Sequence, residues 1–220
     1  MNIGANSITD TGFYFQWGDT QGYTASQVGS GAGQKYFGWK DYKYGNGTSD
    51  PGDTGMTKYN ASDSKTILDL SDDAARASWG SLWRMPTTTE YVALSNAVNI
   101  EFTNDYQGSG VGGMICTDKN DSSKVLFFPT AGYCEDGRVM HVGGYGEYWS
   151  SSHYNNGTGA VSGAYHVQIC YEFGNGYVDW QNVLNRSNGF LIRGVINETP
   201  LSTVAHSGDY NDLSNKPTIP

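Results

Sequence analysis

Four histidines, three cysteines and one acidic pentapeptide are the residues of this 220-residue chain whose types could support catalysis or hold a metal. His141, His153, His166 and His206 show no zinc-ligand spacing, and neither a Gly-x-Ser-x-Gly elbow nor a phosphate-binding loop occurs. Cys116, Cys134 and Cys170 lack the close pairs of redox and metal motifs, so at most one bridge can form and no disulfide framework holds the fold. Asp118-Lys119-Asn120-Asp121-Ser122 alternates oxygen-bearing side chains as a calcium loop does. It is completed by neither the sixth-position glycine nor the later glutamate, and a plain hairpin turn is the better reading. The expectation is therefore a non-enzyme without a cofactor or metal. Residues 153 to 188 carry a different chemistry, since Tyr and Asn recur there. Tyr offers a large amphipathic surface at low entropy cost, and Asn both donates and accepts hydrogen bonds, which suits non-covalent recognition. Ordinary turn and strand composition is the competing reading of the same residues.

Composition narrows the partners. Thirteen Lys plus Arg stand against 22 Asp plus Glu, a formal charge of -9, which repels a phosphate backbone and argues against nucleic acid. No run approaches the roughly 18 apolar residues of a membrane span, so membrane insertion is not expected. Aromatic residues make up 14% of the chain, with 16 Tyr, 8 Phe and 6 Trp, enough packing material for an ordered core.

The elements that must position these residues are legible in part. Phe13 to Trp17 reads as an aromatic strand. Residues 18 to 62 hold no lasting period, but Tyr23, Tyr36, Phe37, Trp39, Tyr42 and Tyr44 predict an ordered loop pinned on the core. A first helix is predicted with Ser71 as its cap, Asp72 and Asp73 in its first turn and Gly80 as its stop. A second starts at the capping box Thr87-x-x-Glu90 and sets Tyr91, Leu94 and Val98 on one stripe. Beyond Ile100, apolar runs at 114–116, 125–128, 147–151, 165–173, 177–180 and 190–195 predict antiparallel strands, with Gly174-Asn175-Gly176 reversing one hairpin. Strands grouped after helices give an α+β class. Trp17, Trp83 and Trp149 are expected in the core, whereas Trp180 could face either way. The texture changes near Pro200, which divides a domain of residues 1 to 199 from a 200–220 tail that looks like the start of a further module or a linker.

Several segments together resemble one family. Asn2-Ile3-Gly4-Ala5-Asn6, Gly12 to Asp19, Ser71 to Trp79 running into Trp83-Arg84-Met85-Pro86-Thr87, Phe128 to Gly132, Tyr148 to Ser152 and Gly189 to Arg193 look like successive signatures of the Fibrobacter succinogenes major paralogous domain. The resemblance covers residues 1 to about 196. It implies a C-type lectin-like fold, with two short helices, antiparallel strands and long ordered loops, and it implies kinship with variable proteins of diversity-generating retroelements. In that family residues like Asn2 to Asn6 usually follow a further strand, which implies an N-terminally trimmed chain. The Glu-Pro-Asn and Trp-Asn-Asp triplets of calcium-dependent sugar binding do not occur. Thr203 to Pro220 is similar to a segment that recurs in phage tail fibres, which implies a virion and receptor binding that determines tropism.

Retroelement mutagenesis rewrites adenines. An Asn codon ending in C or T can then become Tyr, Ser, Asp, His, Val, Leu or Cys, but not Trp, Gln, Glu or Lys. On this rule the varied positions would be His153, Tyr154, Asn155, Asn156, Cys170, Tyr171, Asn175, Tyr177, Asp179, Asn182, Val183, Leu184, Asn185, Ser187 and Asn188. Glu172, Trp180 and Gln181 would be constant, while Trp149, Phe173, Phe190 and Arg193 would hold the scaffold. The ligand-binding residues expected from this scheme are the varied set without Cys170 and Val183, together with Trp180. The implied partner is a bacterial surface protein or glycan, met by a chain that trimerises as fibres commonly do. An adhesive or structural protein of the bacterial cell surface, secreted or attached, is the alternative within the same family.

Overall fold

A computed structural model describes residues 1–48, 55–155 and 162–196. The 200–220 tail and Asn156 lie outside the described residues. Among the described residues two α-helices, α1 (Ala74–Trp79) and α2 (Thr88–Ala97), accompany ten short strands. Strands β1 (Trp83–Arg84) and β10 (Val195–Ile196) pair, as do β5 (Tyr133–Glu135) and β6 (Arg138–Met140). Two three-stranded antiparallel sheets complete the fold: β2 (Val98–Thr103), β3 (Gly113–Asp118) and β4 (Val125–Pro129), then β7 (Tyr145–His153), β8 (Gly163–Glu172) and β9 (Asn175–Asn185). The class is mixed helix and sheet, mostly strand.

Helix α2 starts as predicted. Thr87 Oγ1 accepts from the Glu90 amide while Glu90 accepts from the Thr87 amide, so two end donors are satisfied reciprocally. The α1 cap is Asp73 instead of Ser71: the Asp73 carboxylate accepts from the Arg76 amide at 3.0 Å. The preceding Asp72 is committed elsewhere, to Lys58 at 2.5 Å, Tyr59 Oη at 2.6 Å and Lys43 at 3.3 Å. That triad ties the long loop to the start of α1. Gly80 ends the helix at φ +91, where a side chain would be strained.

The 18–62 loop is anchored largely as its aromatics predict: Phe37, Tyr42 and Tyr44 are buried and Tyr23, Tyr36 and Trp39 half-buried. Phe13 to Trp17 and Phe190 to Val195 are extended but form no long ladder. Single bridges, Tyr14 to Tyr23, Phe15 to Phe190 and Tyr148 to Leu191, divide their backbone bonds among several neighbours. Trp17 and Trp149 are fully buried, and each indole donates 2.8 Å to a backbone carbonyl, of Ser150 and Phe15 respectively. Trp83 departs from expectation: it is half-buried against Trp79, with ring centroids 4.9 Å apart.

The β7–β8–β9 sheet separates two apolar clusters. Tyr148, Val167 and Ile169 face one cluster with Tyr91, Met114 and Phe128, while Trp149, Ala164 and Phe190 join Trp17, Tyr59 and Met85 in the other. Alternation along each strand assigns adjacent residues to opposite clusters.

Candidate functional site

The second half of the β8–β9 hairpin is covered on one side only. Cross-strand pairs share a face, so Glu172 with Asn175, Cys170 with Tyr177, and Gln168 with Asp179 line one side. Tyr145 and Glu147 of β7 extend the same row, through their pairs with Cys170 and Gln168. Opposite them, Val178 and Trp180 pack toward α2, with Trp180 6.4 Å from the Tyr91 ring, and Tyr171 stacks on Phe102 at 5.4 Å. One face is therefore core, and the other opens to solvent along β9, where Asn175, Tyr177 and Asp179 are exposed, while Glu147 and Cys170 on the same side are buried.

The open face is polar and hydrogen-bonded inward. The Tyr177 hydroxyl, on a residue 52% exposed, donates to Gln168 Oε1 at 2.8 Å. The Gln168 amide donates to Glu147 Oε1 at 3.0 Å, and Glu147 Oε2 lies 3.0 Å from Nε2 of the fully buried His166. Burial raises the Tyr177 phenol above its ordinary range, and the Cys170 hydrogen bond pushes that of Tyr145 up to about 12. Both phenols thus stay protonated at neutral pH; with its proton given to Gln168, the Tyr177 oxygen is left as an acceptor for a ligand.

Of the residues expected to meet a ligand, Asn155, Asn175, Tyr177, Asp179 and Asn185 are exposed. Tyr154, Tyr171, Trp180, Asn182 and Leu184 are half-buried. Leu184 packs on the cluster around Trp149, and Tyr154 crosses the Tyr165 ring at 5.4 Å. Asn182 pairs with His166 on the same side as Asp179, beyond the irregularity between His166 and Gln168. Three residues are corrected off the open sheet face: His153 to the interior, and Ser187 and Asn188 to the wall of a separate polar pocket. His153 is buried beside Trp17, its Nδ1 3.1 Å from the Lys65 carbonyl, and neighbouring loop atoms fill the space a ligand would need. Ser187 and Asn188 are buried where the chain crosses the long loop: Gln16 donates to the Ser187 carbonyl at 2.8 Å, and Asn188 to Glu135 at 3.4 Å. Trp180 and Tyr171 are displaced to the core side by strand alternation. Of the varied positions outside the binding set, Cys170 is buried and Val183 half-buried.

The expected scaffold is likewise redrawn. Trp149, Phe190 and Arg193 are buried, but Phe173 is 100% exposed at the hairpin tip. The reversal is Phe173-Gly174, both at positive φ (+53 and +79), and Asn175 already pairs with Glu172. Register decides this, because Val178 opposite Ile169 keeps the apolar residues on the core side and leaves two residues for the turn. Sequence reasoning missed Tyr145, which lies two residues before the run read at 147–151, and Gln168, which lies within the run at 165–173 read as a plain strand. Their period-two spacing from the buried Glu147 and His166 was the available signal.

The remaining chemistry-bearing residues are dispersed. The carboxylates of Asp118 and Asp121 accept from the amides of Asn120 and Ser123, at 2.7 and 3.1 Å, inside the β3–β4 turn. All three cysteines are free and buried, and burial pushes the Cys116 thiol up to about 12. Among the described residues no helix is long and apolar enough to cross a membrane. No family model, curated protein or solved structure matches the chain.

Proposed function

We propose that this chain is a C-type lectin-like receptor-binding module of a phage tail fibre, holding a bacterial surface ligand on the open face of the β7–β8–β9 sheet. The observation that carries the reading is the row Asn175, Tyr177 and Asp179. These are residue types reachable by adenine rewriting, displayed outward from a hairpin whose opposite face is locked into the core. Binding is non-covalent and the surface preformed, because Tyr177 is already oriented through Gln168 and Glu147. The constant Trp180 fits the same scheme as an internal anchor on Tyr91.

Capture of the fluorescently labelled full chain by intact bacterial strains tests this. A strain that retains the parent should lose at least about 90% of the Asn175→Ala, Tyr177→Ala, Asp179→Ala triple variant, whose unchanged thermal melt shows an intact fold. Equal capture of the two proteins would place the ligand elsewhere. The diversification component has its own test, since the gene should lie near a reverse transcriptase and a template copy that differs only at adenines. Mismatches at all bases would remove that component.

A further inference from the structure

Beyond the open sheet face, the chain runs from Asn185 through buried Arg186 into the wall of a separate polar pocket of about 430 Å³. Its other walls are the 36–40 loop and the β5–β6 turn. The size falls within the range of about 300–1,000 Å³ typical of small-molecule sites.

The pocket is built in advance. One carboxylate, Asp41, accepts from the backbone amides of Tyr36, Phe37 and Gly38 at 3.0, 3.2 and 2.9 Å, which fixes the loop. Gln16 bridges the loop to the far wall, donating to the Gly38 carbonyl at 3.3 Å and to the Ser187 carbonyl at 2.8 Å. The β5–β6 turn is bonded to the same loop, from the Asp136 amide to the Phe37 carbonyl at 3.2 Å. No lining segment must rearrange to form a cavity.

Its chemistry denies a cation a free aromatic face and repels an anion. Lys40 sits 3.2 Å over the Tyr36 ring, so a cationic ligand meets an occupied aromatic face and a like charge. Glu135 and Asp136 outnumber that ammonium and repel an anion. The other lining groups are the half-buried Trp39, the exposed Asn185 amide and two carboxylates, that is, an aromatic residue ringed by both donors and acceptors. A sugar ring matches it: its C–H face lies against an indole, and its hydroxyls donate to carboxylates while accepting from an amide.

We propose that this pocket binds one ring of a neutral glycan, stacked on Trp39 and hydrogen-bonded to Asn185, Glu135 and Asp136. The inference rests on reading residues 153 to 188 as a recognition surface, and it names the ligand class that this end of the surface takes. Saturation-transfer NMR on the full chain with glucose, galactose, mannose and N-acetylglucosamine is the test. At least one sugar should show saturable transfer, and Asn185→Ala and Asp136→Asn should each weaken it about tenfold, as loss of a hydrogen-bond partner requires. Both positions are exposed, and Asn is at ease at the positive φ of Asp136, so folding is preserved. Absence of transfer from every sugar, or identical transfer with both variants, overturns the proposal. So does preferential binding of N-acetyl-lysine methylamide, a cation. Cell capture that depends on Tyr177 but survives both pocket variants would overturn the glycan pocket alone. Sugar binding without capture by any strain would instead overturn the attachment reading.

Discussion

Glu90 joins the start of α2 to the segment before it. Hydrogen bonds from Arg84, at 2.6 and 2.5 Å, are the main reason its carboxyl falls to about 2; those from Thr87 add to the effect and burial opposes it. A carboxyl depressed on folding stabilises fully above its ordinary value of 4.5 and ceases to do so as pH falls toward 2. Thermal melts across that window should therefore decline less steeply for Glu90→Gln than for the parent; identical slopes would show that the pair contributes nothing. This cap was readable because a capping box is local, with both partners three residues apart. His153, Ser187 and Asn188 were not, because a short polar side chain looks the same in sequence whether water or a distant loop meets it. Their partners, Lys65, Gln16 and Glu135, lie 50 or more residues away along the chain.

At the level of elements, the β8–β9 hairpin turns on a residue poorly suited to its conformation. Phe173 sits at φ +53 and touches nothing that burial would reward, being wholly exposed. Phe173→Gly should raise stability by about 1 kcal/mol through relief of left-handed strain, read from urea unfolding; a loss would mean that the ring has a packing partner. Trp180→Ala should act oppositely, lowering stability by about 2–4 kcal/mol through the gap left against Tyr91, so any lost binding would be indirect. Strand positions were legible from apolar runs, and the neighbourhood of this hairpin from its glycines. Its two-residue turn was not, because register is fixed by packing of Val178 and Ile169 against a sheet the local sequence does not reveal. The bridges of Phe15 and Phe190 were hidden similarly, each depending on chain some 175 residues away.

For the whole molecule, the formal charge of -9 bears on approach more than on fold. Toward an anionic cell envelope, capture should quicken as salt shortens the screening length from about 30 Å at 0.01 M to about 8 Å at 0.15 M; slower capture would indicate a cationic target. The α+β class and the aromatic pinning of the long loop were evident from composition and element order. Which face of the last sheet stays open was not, since that depends on where two separate clusters stop. Arg186 shows what such an interior permits. Fully buried between exposed Asn185 and interior Ser187, it donates to the Tyr59 carbonyl at 3.1 Å and lies 5.5 Å from the rings of both Trp17 and Tyr42. An immobile bolt at that point insulates the backbone from whatever replaces Asn185, so a lineage could exchange the letter beside it without renegotiating the rest of the protein.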